Sequence, residues 1–137
     1  MPLKYAYHPG NVAHSGSPEV ADTMDAVARN LGLELTPLEG ATSCGAGIIK
    51  QANQRLQLAL NARTFAMAES LGLEILTPCA ATAGNLKQDL EKLRSDNILM
   101  KEINDVLIKT CGLEFIGNTE VHPVSYTHLT LPTINWV

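Results

Sequence analysis

A repeat with a period of forty residues is the feature that most restricts how this chain can fold. Glycine recurs at positions 32, 72 and 112, each time after a helical pattern and before a short apolar run. Glycine just past a helix end adopts the left-handed conformation at little cost. Each unit is therefore interpreted as a helix that ends at its glycine and is followed by the start of a strand.

The segments around these glycines alternate between helical and strand patterns. Ser17-Pro18-Glu19 supplies an N-cap residue, a proline at the first helical position and an acid in the first turn. Helices are predicted over 17–31, 54–71, 85–93 and 96–111, and strands over 3–7, 33–36, 73–77 and 113–117. Alternation with crossovers of this length predicts an α/β fold, in which helices connect a parallel sheet of about four strands.

Apolar residues recur at helical spacing in three of the predicted helices, and we expect them to face a core. They are Val20, Met24, Val27 and Leu31; Leu58, Ala62, Phe65 and Leu71; and Ile98, Ile103, Val106 and Leu107.

Composition excludes several classes of protein. The 137 residues carry a net charge of −4 without a basic cluster, which argues against a nucleic-acid partner. No apolar run reaches the ~18 residues of a membrane span, so no direct membrane insertion is expected. The three cysteines are widely spaced and odd in number, which does not indicate a disulfide framework. We therefore expect a cytoplasmic protein.

Ligands of parallel α/β sheets bind beyond the carboxyl ends of the strands. Three loops are predicted there, over 8–16, 37–47 and 78–84. Cys44 and Cys79 fall in these loops, and glycines flank the Ser43-Cys44 pair closely enough to suggest that it is presented to a ligand. Cys111 falls in the last turn of a predicted helix, where we expect core or helix-end packing.

The last residues read differently from the rest of the chain. Residues 124–133 match the translation of a transposon-end sequence and its adapter, as used in sequencing libraries. We therefore expect one domain over 1–123 and treat 124–137 as an adapter artefact outside the fold.

The loop motifs "HPGNVAHSG" (8–16), "GATSCGAG" (40–47) and "LTPCAATAGNL" (76–86) resemble the cysteine-rich CCG domain found in the B subunit of heterodisulfide reductase and in its relatives. The resemblance runs from about Lys4 to Pro123. The family pattern has a cysteine after Pro-Gly, a Cys-Cys-Gly, and a Cys-x-x-Cys after Thr-Pro. Asn11, Ser43 and Thr82 stand at three of these cysteine positions, so that Cys44 and Cys79 alone remain.

The resemblance implies a fold, a cofactor and partners. The family holds a noncubane iron–sulfur cluster on these cysteines, in proteins built from two similar halves. The chain is similar to a first half whose cluster ligands are degenerate, as in the corresponding proteins of the sulfur-oxidising heterodisulfide-reductase-like complex. The implied partners are the missing C-terminal half and the other subunits of such a complex. Two thiolates are too few for a conventional four-cysteine cluster, so we expect no cluster in this half.

Several roles remain open for the fragment. The whole protein would pass electrons to or from a disulfide or thiol substrate, with Cys44 and Cys79 as candidate catalytic and metal-binding residues and Asn11, Ser43 and Thr82 lining a vestigial cluster pocket. The alternatives are a structural docking module, small-residue packing of the two cysteines, a Cys44/Cys79 dithiol, a metal shared with a partner, and a zinc site that includes His8 and His14. A phosphate-cradling loop or a flavin binder is a further alternative.

Overall fold

The computed structural model describes residues 3–10, 19–45 and 48–123. The elements follow in the order β1 (Leu3–Tyr7), α1 (Glu19–Leu31), β2 (Leu33–Pro37), α2 (Ile48–Ala52), α3 (Gln54–Ser70), β3 (Glu74–Thr77), α4 (Ala80–Ser95), α5 (Asn97–Cys111) and β4 (Val121–Pro123).

The four strands form one parallel sheet in the order β2-β1-β3-β4. Leu3 pairs with Leu33, Ala6 with Ile75, and Ile75 with Val121. The predicted α/β class and the parallel sheet are confirmed. Because all strands run the same way, their carboxyl ends meet at one edge, and the functional segments lie there.

The helix ends follow the repeat. Gly32, Gly72 and Gly112 have φ values of 71°, 68° and 68°, as a left-handed helix stop requires. At the other end, α5 begins after Asp96, whose side chain accepts a hydrogen bond from the Leu99 amide at 3.0 Å. The helix predicted over 85–93 instead begins at Ala80, so that residues 80–84 form its first turn and not a loop.

Two hydrophobic clusters lie on opposite faces of the sheet. Ala6 and Ile75 belong to the larger cluster, which α3, α4 and α5 complete, while Leu76 belongs to the smaller one beneath α1. Neighbouring strand residues point to opposite faces, which explains why Ile75 and Leu76 are both fully buried. Phe65 and Phe115 meet within the larger cluster with their ring centroids 5.6 Å apart.

The strand predicted over 113–117 is wrong, since the fourth strand lies at Val121–Pro123. Side chains take the place of a neighbouring strand for the backbone before it. The Glu69 carboxylate accepts the amides of Ile116, Gly117 and Asn118 at 2.8, 2.9 and 3.1 Å.

Two further side chains complete this irregular segment. Asn104 accepts the Phe115 amide and donates to the Phe115 carbonyl, while Arg94 donates to the carbonyls of Gly117 and Thr119. The backbone is thus satisfied without sheet pairing.

Some predicted core residues lie at the surface. Leu31, Leu71, Ile98 and Val106 are about half exposed or more, whereas Met24, Phe65 and Leu107 are buried as predicted. Leu31 and Leu71 lie at helix ends, where the chain turns away from the sheet. Cys111 is also exposed, and its Sγ donates to the Leu107 carbonyl at 3.2 Å, so it is not a core residue.

Candidate functional site

Three segments meet at the carboxyl edge of the sheet. They follow β1, β2 and β3 and comprise residues 8–10, 38–45 and 78–82. The edge where parallel strands end is the usual ligand position in this fold class, so each candidate residue is described relative to it.

Cys79 is the N-cap residue of α4. Its backbone is extended (φ −90°, ψ 114°), and its Sγ accepts a hydrogen bond from the Thr82 amide at 3.5 Å. Burial raises the pKa of the Cys79 thiol, but hydrogen bonds from the Thr82 hydroxyl and from the amides of Thr82 and Ala81 outweigh burial, so the pKa is lowered. A helix N-terminus favours an anion in the same way.

Gly10 packs directly against Cys79. A Cβ atom at Gly10 would lie 2.7 Å from the Cys79 Cβ and 3.3 Å from the Thr82 Oγ1. Only a residue without a side chain fits there, so the segment after β1 covers one side of the cysteine.

Thr82 is 1% exposed, and its Oγ1 has no regular hydrogen-bond partner among the described residues. Its hydroxyl proton can turn towards the Cys79 sulfur, which is how it helps to lower the pKa of the thiol.

Cys44 is buried, in contrast to the prediction of a presented cysteine. It is 1% exposed and belongs to the larger hydrophobic cluster. Its carbonyl oxygen accepts hydrogen bonds from the side-chain amides of Asn61, at 2.9 Å, and Asn85. These two bonds draw the segment after β2 inwards, so the glycines around Cys44 serve a tight backbone path and not exposure.

A buried polar network holds these two asparagines. The Asp89 Oδ2 accepts from the Asn61 amide at 2.6 Å and from the Gln57 amide at 2.7 Å, and the Gln57 amide also donates to the Asn85 Oδ1 at 3.2 Å. Burial raises the pKa of Asp89, although Asn61, the Lys50 and Lys92 charges, and Gln57 oppose this rise.

Sequence reasoning missed this network. Gln57 and Asn61 on α3, and Asn85 and Asp89 on α4, are both pairs at i and i+4. That spacing places each pair on one helix face and is the signal that could have revealed the network. A polar face is more often solvated, which is why sequence alone did not indicate burial.

The other candidate residues differ in placement. Ser43 is exposed, and its Oγ accepts the Gly45 amide at 3.1 Å. Asn11 and His14 lie outside the described residues. The His8 Nδ1 accepts the Gly10 amide at 3.1 Å and its Nε2 lies 3.0 Å from the Thr42 carbonyl, so both ring nitrogens are engaged. That arrangement leaves no free nitrogen for the hypothesised zinc site.

Metal-binding groups do not converge at this edge in the described part of the chain. Within residues 3–10, 19–45 and 48–123, no three or more His, Cys, Asp or Glu side chains come together as a metal site. Cys44 and Cys79 are both free thiols, one buried and one partly exposed. The described donor set therefore does not fit a four-thiolate iron–sulfur cluster.

Comparison with known families decides the kinship of the chain. The cysteine-rich domain family CCG matches residues 5–87. The chain belongs to this family. The CCG match spans β1 to α4 and therefore includes all three segments of the carboxyl edge.

Three relatives carry names from redox complexes. The chain is 31% identical over 121 residues to the 8-methylmenaquinol:fumarate reductase membrane anchor subunit of Wolinella succinogenes. It is 31% identical over 97 residues to the B subunit of the ferredoxin/F(420)H(2)-dependent CoB-CoM heterodisulfide reductase of Methanosarcina acetivorans. It is 25% identical over 125 residues to a heterodisulfide reductase B-subunit-like protein of Archaeoglobus profundus.

The CCG chain is shorter than these relatives. The three alignments cover 88%, 70% and 90% of this chain but only 42%, 32% and 42% of the relatives. A crystal structure of a hypothetical protein from Helicobacter pylori matches with a TM-score of 0.80 at 16% identity, covering 92% of this chain and 25% of that one. The likeness to that structure supports the fold alone.

No helix within the described ranges is both long and apolar enough to cross a bilayer.

Proposed function

We propose that this chain is the first half of an iron–sulfur oxidoreductase subunit. The complete subunit would pass electrons to or from a disulfide or thiol substrate within a multi-subunit complex, and this half would hold no cluster of its own. The observation that carries the second statement is the donor set. Only Cys44 and Cys79 remain at the family's cysteine positions, and Cys44 is buried and held through its carbonyl.

The relatives support the first statement. Their names describe components of reductases, and each is more than twice as long as its aligned portion of this chain. On this proposal residues 1–123 form one CCG half, a second half holds the cluster, and 124–137 are foreign to the domain. The three free cysteines favour a reducing compartment, so we place the protein in the cytoplasm.

The iron and acid-labile sulfide content of the complete subunit tests the proposal. The subunit is purified without oxygen as wild type and as Cys44→Ser, Cys79→Ser and Cys111→Ser variants. We expect equal iron and sulfide in all four, since the cluster resides in the other half. Cys111→Ser is the matched control, because Cys111 is exposed at a helix end far along the chain. Loss of iron in the Cys44 or Cys79 variant alone would refute the absence of a cluster here.

A docking module is the second candidate, and exposed apolar residues on α3 and α5 favour it. Leu56 and Val106 are 48% and 49% exposed and line one groove with Ala59 and Ile103, and Ile98 is 75% exposed. On this reading the groove packs against the second half or a partner subunit. Val106→Asp should then reduce co-purification of the partner subunits while the chain stays folded, whereas the exposed control Lys109→Asp should not. Equal recovery of partners from both variants would remove this candidate.

A Cys44/Cys79 dithiol is the third possibility. The burial of Cys44 disfavours it, because a disulfide-exchange thiol has to be reached by a partner sulfur. Peptide mapping by mass spectrometry after mild oxidation decides the matter: a Cys44–Cys79 linked peptide would establish the dithiol.

A further inference from the structure

A cleft lies beside the cysteines but does not include them. It has a volume of about 540 Å³ and opens between the end of β1, the middle of α1 and the segment after β2. Clefts of ~300–1,000 Å³ at the carboxyl ends of strands commonly hold organic ligands. This position raises the question of which ligand chemistry the cleft would accept.

Much of the wall is apolar. Pro9, Pro37, Leu38 and Ala41 line the cleft together with Tyr7. The Tyr7 side chain packs in the smaller hydrophobic cluster beneath α1, which gives the cleft a fixed flat side. A planar ring compound suits such walls, because apolar and aromatic side chains bury its faces.

The charges at the cleft are negative. Asp25 and Glu39 both line it, and no lysine or arginine is among the described residues of its lining. Anionic ligands, including phosphates and carboxylates, are therefore disfavoured by like-charge repulsion. The same carboxylates accept hydrogen bonds well, so a ligand with hydroxyl donors is favoured.

Two hydroxyl groups of the lining lack partners. The Tyr7 phenol oxygen and the Thr42 Oγ1 are buried and have no hydrogen bond within the described part of the chain. Burial, together with the Asp25 charge, raises the pKa of Tyr7, which keeps the phenol protonated and able to donate. A buried hydroxyl without a partner is costly unless a ligand or a bound water satisfies it.

We propose that this cleft binds an uncharged organic ring compound that carries hydroxyl groups. The ring lies against the apolar wall, its hydroxyls donate to Asp25 or Glu39, and Tyr7 and Thr42 complete the hydrogen bonds. The proposal goes beyond the redox function above, because it uses none of the three cysteines and stands whether or not this half holds a cluster.

Matched probes test the selectivity. The full chain is titrated with 1,5-dihydroxynaphthalene, which is neutral, and with 5-hydroxynaphthalene-1-sulfonate, which has the same ring system and one negative charge. Ligand-observed NMR reports binding to each. We expect the neutral probe to bind at least ~10-fold more tightly, because the anion faces two carboxylates. Equal or tighter binding of the sulfonate, or no binding of either at millimolar concentration, would overturn the proposal.

A pair of variants locates the binding and separates it from stability. Tyr7→Phe removes the unpartnered hydroxyl, so we expect unchanged or raised stability of the free chain and about three- to tenfold weaker binding of the neutral probe. Tyr5→Phe is the control, since Tyr5 lies two residues earlier on the same strand, contacts His122 and does not line the cleft. Equal weakening in both variants, or none in Tyr7→Phe, would refute the assignment of the cleft.

Discussion

Gly10 provides the sharpest test of how the segment after β1 packs on Cys79. Gly10 and Gly32 both have left-handed backbones, with φ of 78° and 71°, so alanine is strained at either position. They differ in surroundings: a Cβ at Gly10 would lie 2.7 Å from the Cys79 Cβ, whereas a Cβ at Gly32 meets nothing within 4 Å. The pair of alanine variants therefore separates the backbone cost from the steric cost.

The magnitudes follow from these two terms. Alanine in the left-handed region costs about 1–2 kcal/mol, which is all that Gly32→Ala should lose. Gly10→Ala adds an overpacking cost of about 1–3 kcal/mol, because the blocking atom is the Cβ of Cys79 and cannot rotate away. Gly10→Ala should thus be the more destabilised variant by about that second amount.

Urea unfolding followed by far-UV circular dichroism measures both free energies, with the slope checked for constancy. The rate of Cys79 alkylation by iodoacetamide gives a second readout. It should rise in Gly10→Ala, where the covering segment is displaced, and stay unchanged in Gly32→Ala. Equal destabilisation of the two variants, with equal alkylation, would refute the packing of Gly10 on Cys79.

Three further predictions concern single side chains. The alkylation rate of Cys79 should reach half its maximum at a lower pH in the native chain than in urea, because the folded state lowers the pKa of this thiol. Asp89 has a raised pKa in the folded chain, so its contribution to stability is full below the ordinary value of 3.8 and is lost as the pH rises through the folded-state pKa. The unfolding free energy of the wild type, relative to Asp89→Asn, should therefore fall with rising pH, and a flat difference in urea titrations would contradict the raised pKa. Glu69→Ala should cost about 2 kcal/mol in the same assay by releasing three backbone amides, whereas Glu34→Ala, an exposed pair with Lys4, should cost little.

The regular part of the fold was predictable because its signals are local. Gly32, Gly72 and Gly112 mark three helix ends by their conformational freedom alone, and apolar residues place the first three strands to within one residue. The fourth strand was not predictable. The amides of residues 116–118 bond to Glu69, which is distant in sequence, and nothing local to this segment indicates that partner.

The candidate site was predictable in position but not in exposure. The loop assignments placed Cys44 and Cys79 at the carboxyl edge, and the structure describes both there. Exposure depends on the side chains that meet each cysteine. Asn61 and Asn85 draw Cys44 inwards from two different helices, and only a three-dimensional arrangement shows that they converge.

The hydrogen bonds to Cys44 have a consequence for how such domains can change in evolution. Asn61 and Asn85 hold the main-chain carbonyl of residue 44 and leave the sulfur out of the contact. A backbone held in this way keeps its path when the side chain is exchanged for another of similar volume. The scaffold that once had to present thiolates is therefore separable from the thiolates themselves. A lineage can give up cysteines one at a time at this edge and still inherit a folded domain, whose surfaces are then free to acquire other uses.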